Sequence, residues 1–361
     1  KMKNKKNSLA YRLFHRYFIV AMNGMALGLF STLIIGLIIN QIGQAIPGSL
    51  GSFLESISPV AMALTGPVIG IGIATSLESP KLVTLSSGVV GFIGAFGAVF
   101  ANGKIINSFG QLIIKGSGDP LGAFIAVVIA AEVGRLVSGK TKIDIIVTPL
   151  VTIITGSLIA VLLGPRLLYA MKSIGSFIQM ATNLAPFTMG LVISVVMGML
   201  LTLPISSAAI SIILGLSGIS AGASAVGCCS QMIGFAVITY HVNGLNGALA
   251  NGLGTSMLQV PNILKKPVIW IPPIVSSAIL GPISSVVLKM TNNPAGAGMG
   301  TAGLVGPLMA WQSMAPNVSG AILPLEILAM HFVLPAIISL AVFKFMVSKK
   351  IVSPEDYKLS L

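Results

Sequence analysis

The chain has 361 residues, of which 55% are apolar, 8% charged and 6% aromatic, with 41 Gly and 20 Pro. An ordinary soluble domain carries about 25% charged residues, so these few charges could not coat a soluble fold of this size, and the mean hydropathy of +0.98 agrees. The net charge of +13 would suggest nucleic acid in a soluble protein, but no aromatic-basic or helix-turn-helix segment accompanies it, and nucleic acid is excluded as a partner.

Runs of twenty-odd apolar residues without two-residue alternation predict helical spans rather than barrel strands. The expected class is all-α: a polytopic helical membrane protein of about ten spans, with re-entrant or broken Gly/Asn-rich segments. Residues 1–16 form a basic cytoplasmic segment, 17–347 a single transmembrane domain and 348–361 a cytoplasmic tail. The first run, about 17–42, is too long for a cleavable signal and is read as a retained span. Further spans are expected at 57–77, 82–101, 120–138 and 144–163, with an amphipathic stretch at 105–115 and an interfacial segment at 166–182. Spans at 184–203 and 220–241 follow, then a short Gly/Asn-rich piece at 245–260, a span at 267–289 and a last one at 321–347.

Basic residues gather on the cytoplasmic side of spans. Lys1, Lys3, Lys5, Lys6, Arg12 and Arg16 precede the first run, and Lys344, Lys349, Lys350 and Lys358 cluster around the end of the last. Both termini are therefore expected in the cytoplasm and the span count to be even, although Lys104, Lys115, Arg166, Lys172 and Lys289 would then lie outside. A faint internal echo pairs Gly28…Gly36 with Gly190…Gly198, and Ile69-Gly70…Thr75 with Ile233-Gly234…Thr239. Duplicated halves and chance matches both account for it.

Irregular backbone at membrane depth survives only when buried in protein or lining a wet cavity. The polar stretch from His241 through Asn243, Asn246, Asn251 and Thr255 to Gln259 is too polar for a lipid-facing helix. Amide and hydroxyl groups both donate and accept, as a polyhydroxylated neutral solute requires, while interhelical packing through Gly and Asn is the alternative. Asn251 and Thr255, four apart, would share one helical face. The run from Asn292-Asn293 through Gly298 and Thr301 to Pro307 reads as a hairpin dipping into the bilayer, its glycines serving either ligand contact or close packing. Glu326 and His331 in the last span are costly at membrane depth and mark a candidate pathway or relay. Glu132 and Arg135, three apart, read as an ion pair on one helix. The adjacent Cys228 and Cys229 are poor disulfide partners, without metal-ligand spacing, and are expected to be small packing residues.

The motifs Asn251-Gly-Leu-Gly-Thr-Ser-Met-Leu-Gln-Val-Pro-Asn262, Trp270-Ile-Pro-Pro273 and Gly296-Ala-Gly-Met-Gly-Thr-Ala-Gly-Leu-Val-Gly306 resemble the enzyme IIC-like membrane proteins of the bacterial sugar phosphotransferase system, in the branch that includes perfringolysin regulators. The resemblance implies a multi-span permease of the bacterial cytoplasmic membrane, commonly a homodimer in membrane lipid. It further implies that a sugar or similar polar solute is presented to a cytosolic IIB-type phosphocarrier. The tail after the last span is too short for a fused IIA or IIB region, so phosphotransfer would need a separate partner. The protein would be at most the membrane subunit of a sugar phosphotransferase, and no catalytic residue, metal or cofactor is assigned. The solute-binding set is His241, Asn243, Asn246, Asn251, Thr255, Gln259, Asn293, Gly298, Thr301, Glu326 and His331. Two other functions fit the residues: a solute-sensing membrane regulator without transport, and an ion-coupled secondary transporter using Glu326, His331 or Glu132.

Overall fold

The computed structural model describes residues 9–103, 111, 112, 116–316 and 322–359. Apart from Gln111 and Leu112, the expected amphipathic stretch at 105–115 lies outside the described residues, as do Lys1, Lys3, Lys5, Lys6, Lys104 and Lys115. The described chain is built of helices, with no strand among them. Six helices are long and apolar enough to cross a membrane, or up to seven with one bent pair. The protein is thus a multi-pass helical membrane protein. By contacts the chain divides into Lys1–Ala170 and Met171–Leu361.

In the first unit α1 (Arg12–Ala45) is followed by α2 (Ser49–Ala63), α3 (Thr65–Ser76), α4 (Lys81–Ala95) and α5 (Pro120–Val137). The boundary between units falls within α6 (Asp144–Thr182), one 39-residue helix where a span and an interfacial segment were expected. Pro165 and Arg166 do not end it. The expected span at 57–77 is two helices, α2 and α3, bent by 51° at Leu64. Lipid offers helices no hydrophobic drive to associate, so backbones must approach closely to gain packing. A Cβ on Gly24 would stand 2.4 Å from the Gly72 carbonyl oxygen, and one on Gly70 would stand 2.0 Å from that of Ser87. Glu132 pairs with Arg16 at 2.7 Å rather than with Arg135. The same guanidinium reaches the Leu77 carbonyl at 3.2 Å, so the distant arginine satisfies two elements at once. Asp119 caps α5 by accepting from the Leu121 amide at 3.1 Å, with Pro120 at the first helical position.

The second unit contains α7 (Pro186–Thr202), α8 (Gly218–Leu249), α9 (Pro267–Val287) and α10 (Ile322–Ser348). Helix α8 is the axis of this unit: 89% of its most apolar window is buried, against 28% for α10. Cys228 and Cys229 lie on it, both fully buried and free. Ser194 of α7 and Ser277 of α9 flank it, joined by a 2.8 Å hydrogen bond. The helices of the echo pack together in both units, α1 on α3 and α7 on α8, but their glycine contacts differ. Gly28 lies against the Ile69 backbone, whereas its match Gly190 lies against Gly281 and Ser285. Helix α6 is only 22% buried in its apolar window, and Ile145, Ile146, Leu158 and Leu162 stand exposed along it. An apolar helix surface this open is stable only against lipid or another apolar surface.

Candidate functional site

The second unit holds both glycine-rich interruptions. Helix α8 breaks at Gly244 (φ 60°, ψ −159°), a conformation that L side chains rarely adopt. A π-helical turn follows at Ala250–Gly254, Thr255 is extended, and a 3-10 turn at Ser256–Gln259 leads into Val260–Lys265. The other interruption starts at Asn292, bridged to Gly218 by a pair of backbone hydrogen bonds of 3.1 and 3.2 Å. It turns through Pro294–Ala297 and the left-handed Gly300, Gly303 and Leu304 before the helix Val305–Met314. The two interruptions meet where Thr301 donates to the Gly252 carbonyl.

At that junction lies Asn251, fully buried. Its amide nitrogen donates to the Gly247 carbonyl at 2.9 Å, and its Oδ1 has no partner. A buried acceptor left unmatched costs about 1–3 kcal/mol, and π-turns recur at functional sites. Thr255 is four residues on but does not share a helical face with Asn251, because the helix ends at Gly254. Its hydroxyl instead caps the 3-10 turn by accepting from the Met257 amide at 3.1 Å.

The remaining predicted residues separate into four groups. Asn243 and Gln259 face the C-terminal segment. The Tyr357 carbonyl accepts from Asn243 at 3.1 Å and from Gln259 at 3.2 Å, and Asn243 Oδ1 accepts from the Leu359 amide at 3.0 Å. Asn293 and Gly298 serve packing. Asn293 caps the Pro294 turn through the Gly296 amide at 3.0 Å, and a Cβ on Gly298 would stand 2.5 Å from the Ser207 carbonyl oxygen. His241 and Asn246 are exposed, with the His241 ring stacked on Phe343 at 6.4 Å between centroids. Glu326 and His331 lie apart on α10. Glu326 Oε2 and His331 Nδ1 are buried without partners, and His331 sits in the π-turn Ala329–Val333.

Sequence reasoning missed a buried network beside this junction. Gln231 on α8 accepts from Trp270 Nε1 at 2.7 Å and from Thr202 at 3.3 Å. Its own amide donates to Ser277 at 3.3 Å. Thr202 and Ser256 hydroxyls are 2.8 Å apart. The network ties α7, α8 and α9 to the 3-10 turn and fixes the segment that follows Asn251. A lone amide among Gly, Ala and Cys was its only signal in sequence. The C-terminal segment was missed as well. Tyr357 is fully buried and donates to the Ile269 carbonyl at 3.0 Å. Burial pushes its hydroxyl pKa up and the Asp356 carboxylate adds to this, so it remains a donor.

Comparison with curated proteins finds no match. The family described as phosphotransferase system, EIIC, matches residues 19–359, nearly the whole length, and the chain belongs to that family.

Proposed function

We propose that this EIIC protein is a permease that binds a sugar or similar polar solute in its second unit and carries it across the bilayer. A separate cytosolic IIB-type phosphocarrier would supply the phosphoryl group. In this reading the protein forms no covalent bond itself. It holds a solute hydroxyl in position while the phosphoryl group leaves the carrier, so its contribution is orientation and electrostatics. The observation that carries the reading is Asn251, whose fully buried and unpartnered Oδ1 lies where the two broken segments touch. Asn251→Leu should weaken sugar binding to purified protein in nanodiscs by about 1–3 kcal/mol. Unchanged affinity for every member of a sugar panel in a folded variant removes Asn251 from the site. Uptake into vesicles that rises on adding the phosphocarrier supports the permease reading.

The same reading places the protein in the bacterial cytoplasmic membrane as a homodimer with both termini inside, following its basic ends. Cysteines introduced at Asn4 and Glu355 should resist an impermeant thiol reagent in intact cells, and labelling of either from outside reverses this topology. A second reading has its own observation, the unpartnered Glu326 Oε2 and His331 Nδ1 on α10. Ion-coupled uptake through them would need no phosphocarrier and would collapse with the proton gradient.

A further inference from the structure

The last described residues are not a loose tail. Ser353 opens a capping box: its amide donates to Asp356 Oδ2 at 2.7 Å, and Pro354 holds the first position of the turn Pro354–Tyr357. That turn is therefore specified by its own residues. It presents its backbone to side chains of two elements. The Tyr357 carbonyl accepts from Thr239 at 3.2 Å, Asn243 at 3.1 Å and Gln259 at 3.2 Å. The next carbonyl, of Lys358, accepts from Asn262 at 2.9 Å, and the Leu359 amide donates to Asn243. Thr239 and Asn243 belong to α8, whereas Gln259 and Asn262 belong to the segment that begins at Asn251. The tail backbone is thus the piece that joins that segment's far end to α8. Outside this row of hydrogen bonds lies the Lys266–Asp356 ion pair at 2.7 Å, with 38% and 23% of the two side chains exposed.

We infer that residues 353–359 are a latch, which clamps the 250–262 segment to α8 and must detach before that segment can move. Three features favour a releasable clamp over a fixed part of the fold. Three donors converge on one carbonyl oxygen that has two lone pairs, and two of them, Asn243 and Gln259, also reach the Thr239 hydroxyl, so they keep an acceptor outside the tail when it leaves. Each side-chain-to-backbone hydrogen bond is weak in net terms, because water replaces it on release. The turn keeps its capping box when undocked, so release does not require it to unfold. Tyr357 anchors the turn, packed with Phe235, Ile238, Ile269 and Phe343, and Leu359 is buried as well. The functional consequence, access of solute to Asn251, rests on the permease reading above, while the latch itself does not.

The test places a reporter under the latch. Ile238 is fully buried and makes none of the latch hydrogen bonds. Ile238→Cys is introduced into the full chain in which Cys228 and Cys229 are alanine, and its reaction with a water-soluble maleimide is followed in nanodiscs. A latch predicts slow labelling, made about two- to fivefold faster by Asp356→Asn or Lys266→Met, the range a partly exposed ion pair supports. A chain ending at Val352 should label fastest. Should that truncation fail to fold, the two point variants carry the test alone. Equal rates in the full chain and both point variants, or no labelling in any of them short of unfolding, make the segment a fixed part of the fold and overturn the inference. Sugar binding is measured in the same samples. Accelerated labelling without binding leaves the latch and removes the solute reading, whereas binding with unaccelerated labelling does the reverse.

Discussion

Residues 244–262 and 292–306 both interrupt the apolar helices of the second unit with Gly and Asn, and both are largely buried. They are built by different means. The 292–306 run packs by close backbone approach: Gly298 admits the Ser207 carbonyl, and a Cβ on Gly300 would stand 2.8 Å from the Cys228 carbonyl carbon. Its carbonyls accept chiefly from hydroxyls of neighbouring elements, Ser207 on Gly298, Ser211 on Pro294 and Ser224 on Ala297. The 244–262 run relies on amide side chains, which hold backbone of their own segment and of the C-terminal latch. Glycine density alone therefore identifies packing here. An amide inside a π-turn with a valence left over marks the proposed solute site.

The largest effect separates the two at the level of folding. In Gly298→Val the new Cβ would lie 2.5 Å from the Ser207 carbonyl oxygen and 2.7 Å from the Ala208 Cα, both backbone atoms that cannot swing away. Overpacking of this kind should cost about 3 kcal/mol, visible as a lowered thermal midpoint or lost expression. Gly252 in the other run has only the Ala236 Cβ at 3.1 Å to meet, a few tenths of an ångström from ordinary contact. Gly252→Ala should stay within about 1 kcal/mol of wild type. Equal losses in the two variants erase the distinction drawn between the runs.

Much of this was legible in the sequence, and the physical reason differs by feature. Composition exposed the membrane class because the apolar runs have no other use. Spans at 120–138 and 267–289 matched helices because caps and prolines bound them locally, as Asp119-Pro120 and Pro267 do. The 39-residue α6 was divided because 166–182, with Arg166, Lys172 and an apolar face, read as a separate interfacial segment, yet the helix runs on through Pro165, as a helix at membrane depth can when its surroundings satisfy the freed carbonyl. Asn251 drew attention because an amide inside an apolar stretch is conspicuous. The Thr301–Gly252 contact beside it was not legible, and neither were the partners of Gln231 or the contacts of the C-terminal segment. Those contacts join residues 29 to 118 positions apart, and no local pattern records them. The Arg16–Glu132 pair escaped for the same reason, at a separation of 116.

The amides of the 244–262 run should themselves divide into structural and functional ones. Gln259 is fully buried, with its nitrogen on the Tyr357 carbonyl and its oxygen accepting from Asn262 at 2.9 Å. Gln259→Leu removes both of these buried hydrogen bonds, although the Tyr357 carbonyl keeps Thr239 and Asn243 and the Asn262 amide keeps the Lys358 carbonyl, and it should destabilise the unit by about 1–2 kcal/mol in thermal or denaturant unfolding. Asn251→Leu gives up one hydrogen bond to Gly247 but also removes an unmatched acceptor. The two effects oppose, so stability should change by less than about 1 kcal/mol while solute affinity falls. If Asn251→Leu proves as destabilising as Gln259→Leu, both amides are structural and the run resembles its glycine-rich neighbour.

The smallest effect is a pH dependence confined to one run. Burial pushes the Asp356 carboxyl pKa up, but the Lys266 hydrogen bond, the Ser353 amide and the Lys266 charge outweigh it, and the net shift is downward. A carboxyl with a lowered folded value contributes stability that is present above its ordinary value, about 4, and lost as pH falls through the folded value. Docking of the latch should therefore be full near neutrality and weaken below about pH 4. Hydrogen exchange, corrected for its intrinsic pH dependence, reads this directly at the Leu359 amide, which donates to Asn243. Near neutrality Asp356→Asn should exchange a few-fold faster than wild type at this position, in proportion to a modest ion pair. In acid the two proteins should converge, because protonated Asp356 no longer pairs with Lys266. Amides of the 292–306 run, whose described side-chain contacts are with hydroxyl, amide and sulfur groups and include no carboxylate, should not respond to the substitution at either pH. A response there would mean that the two interruptions open as one unit through the Thr301–Gly252 contact, and the latch would then govern both.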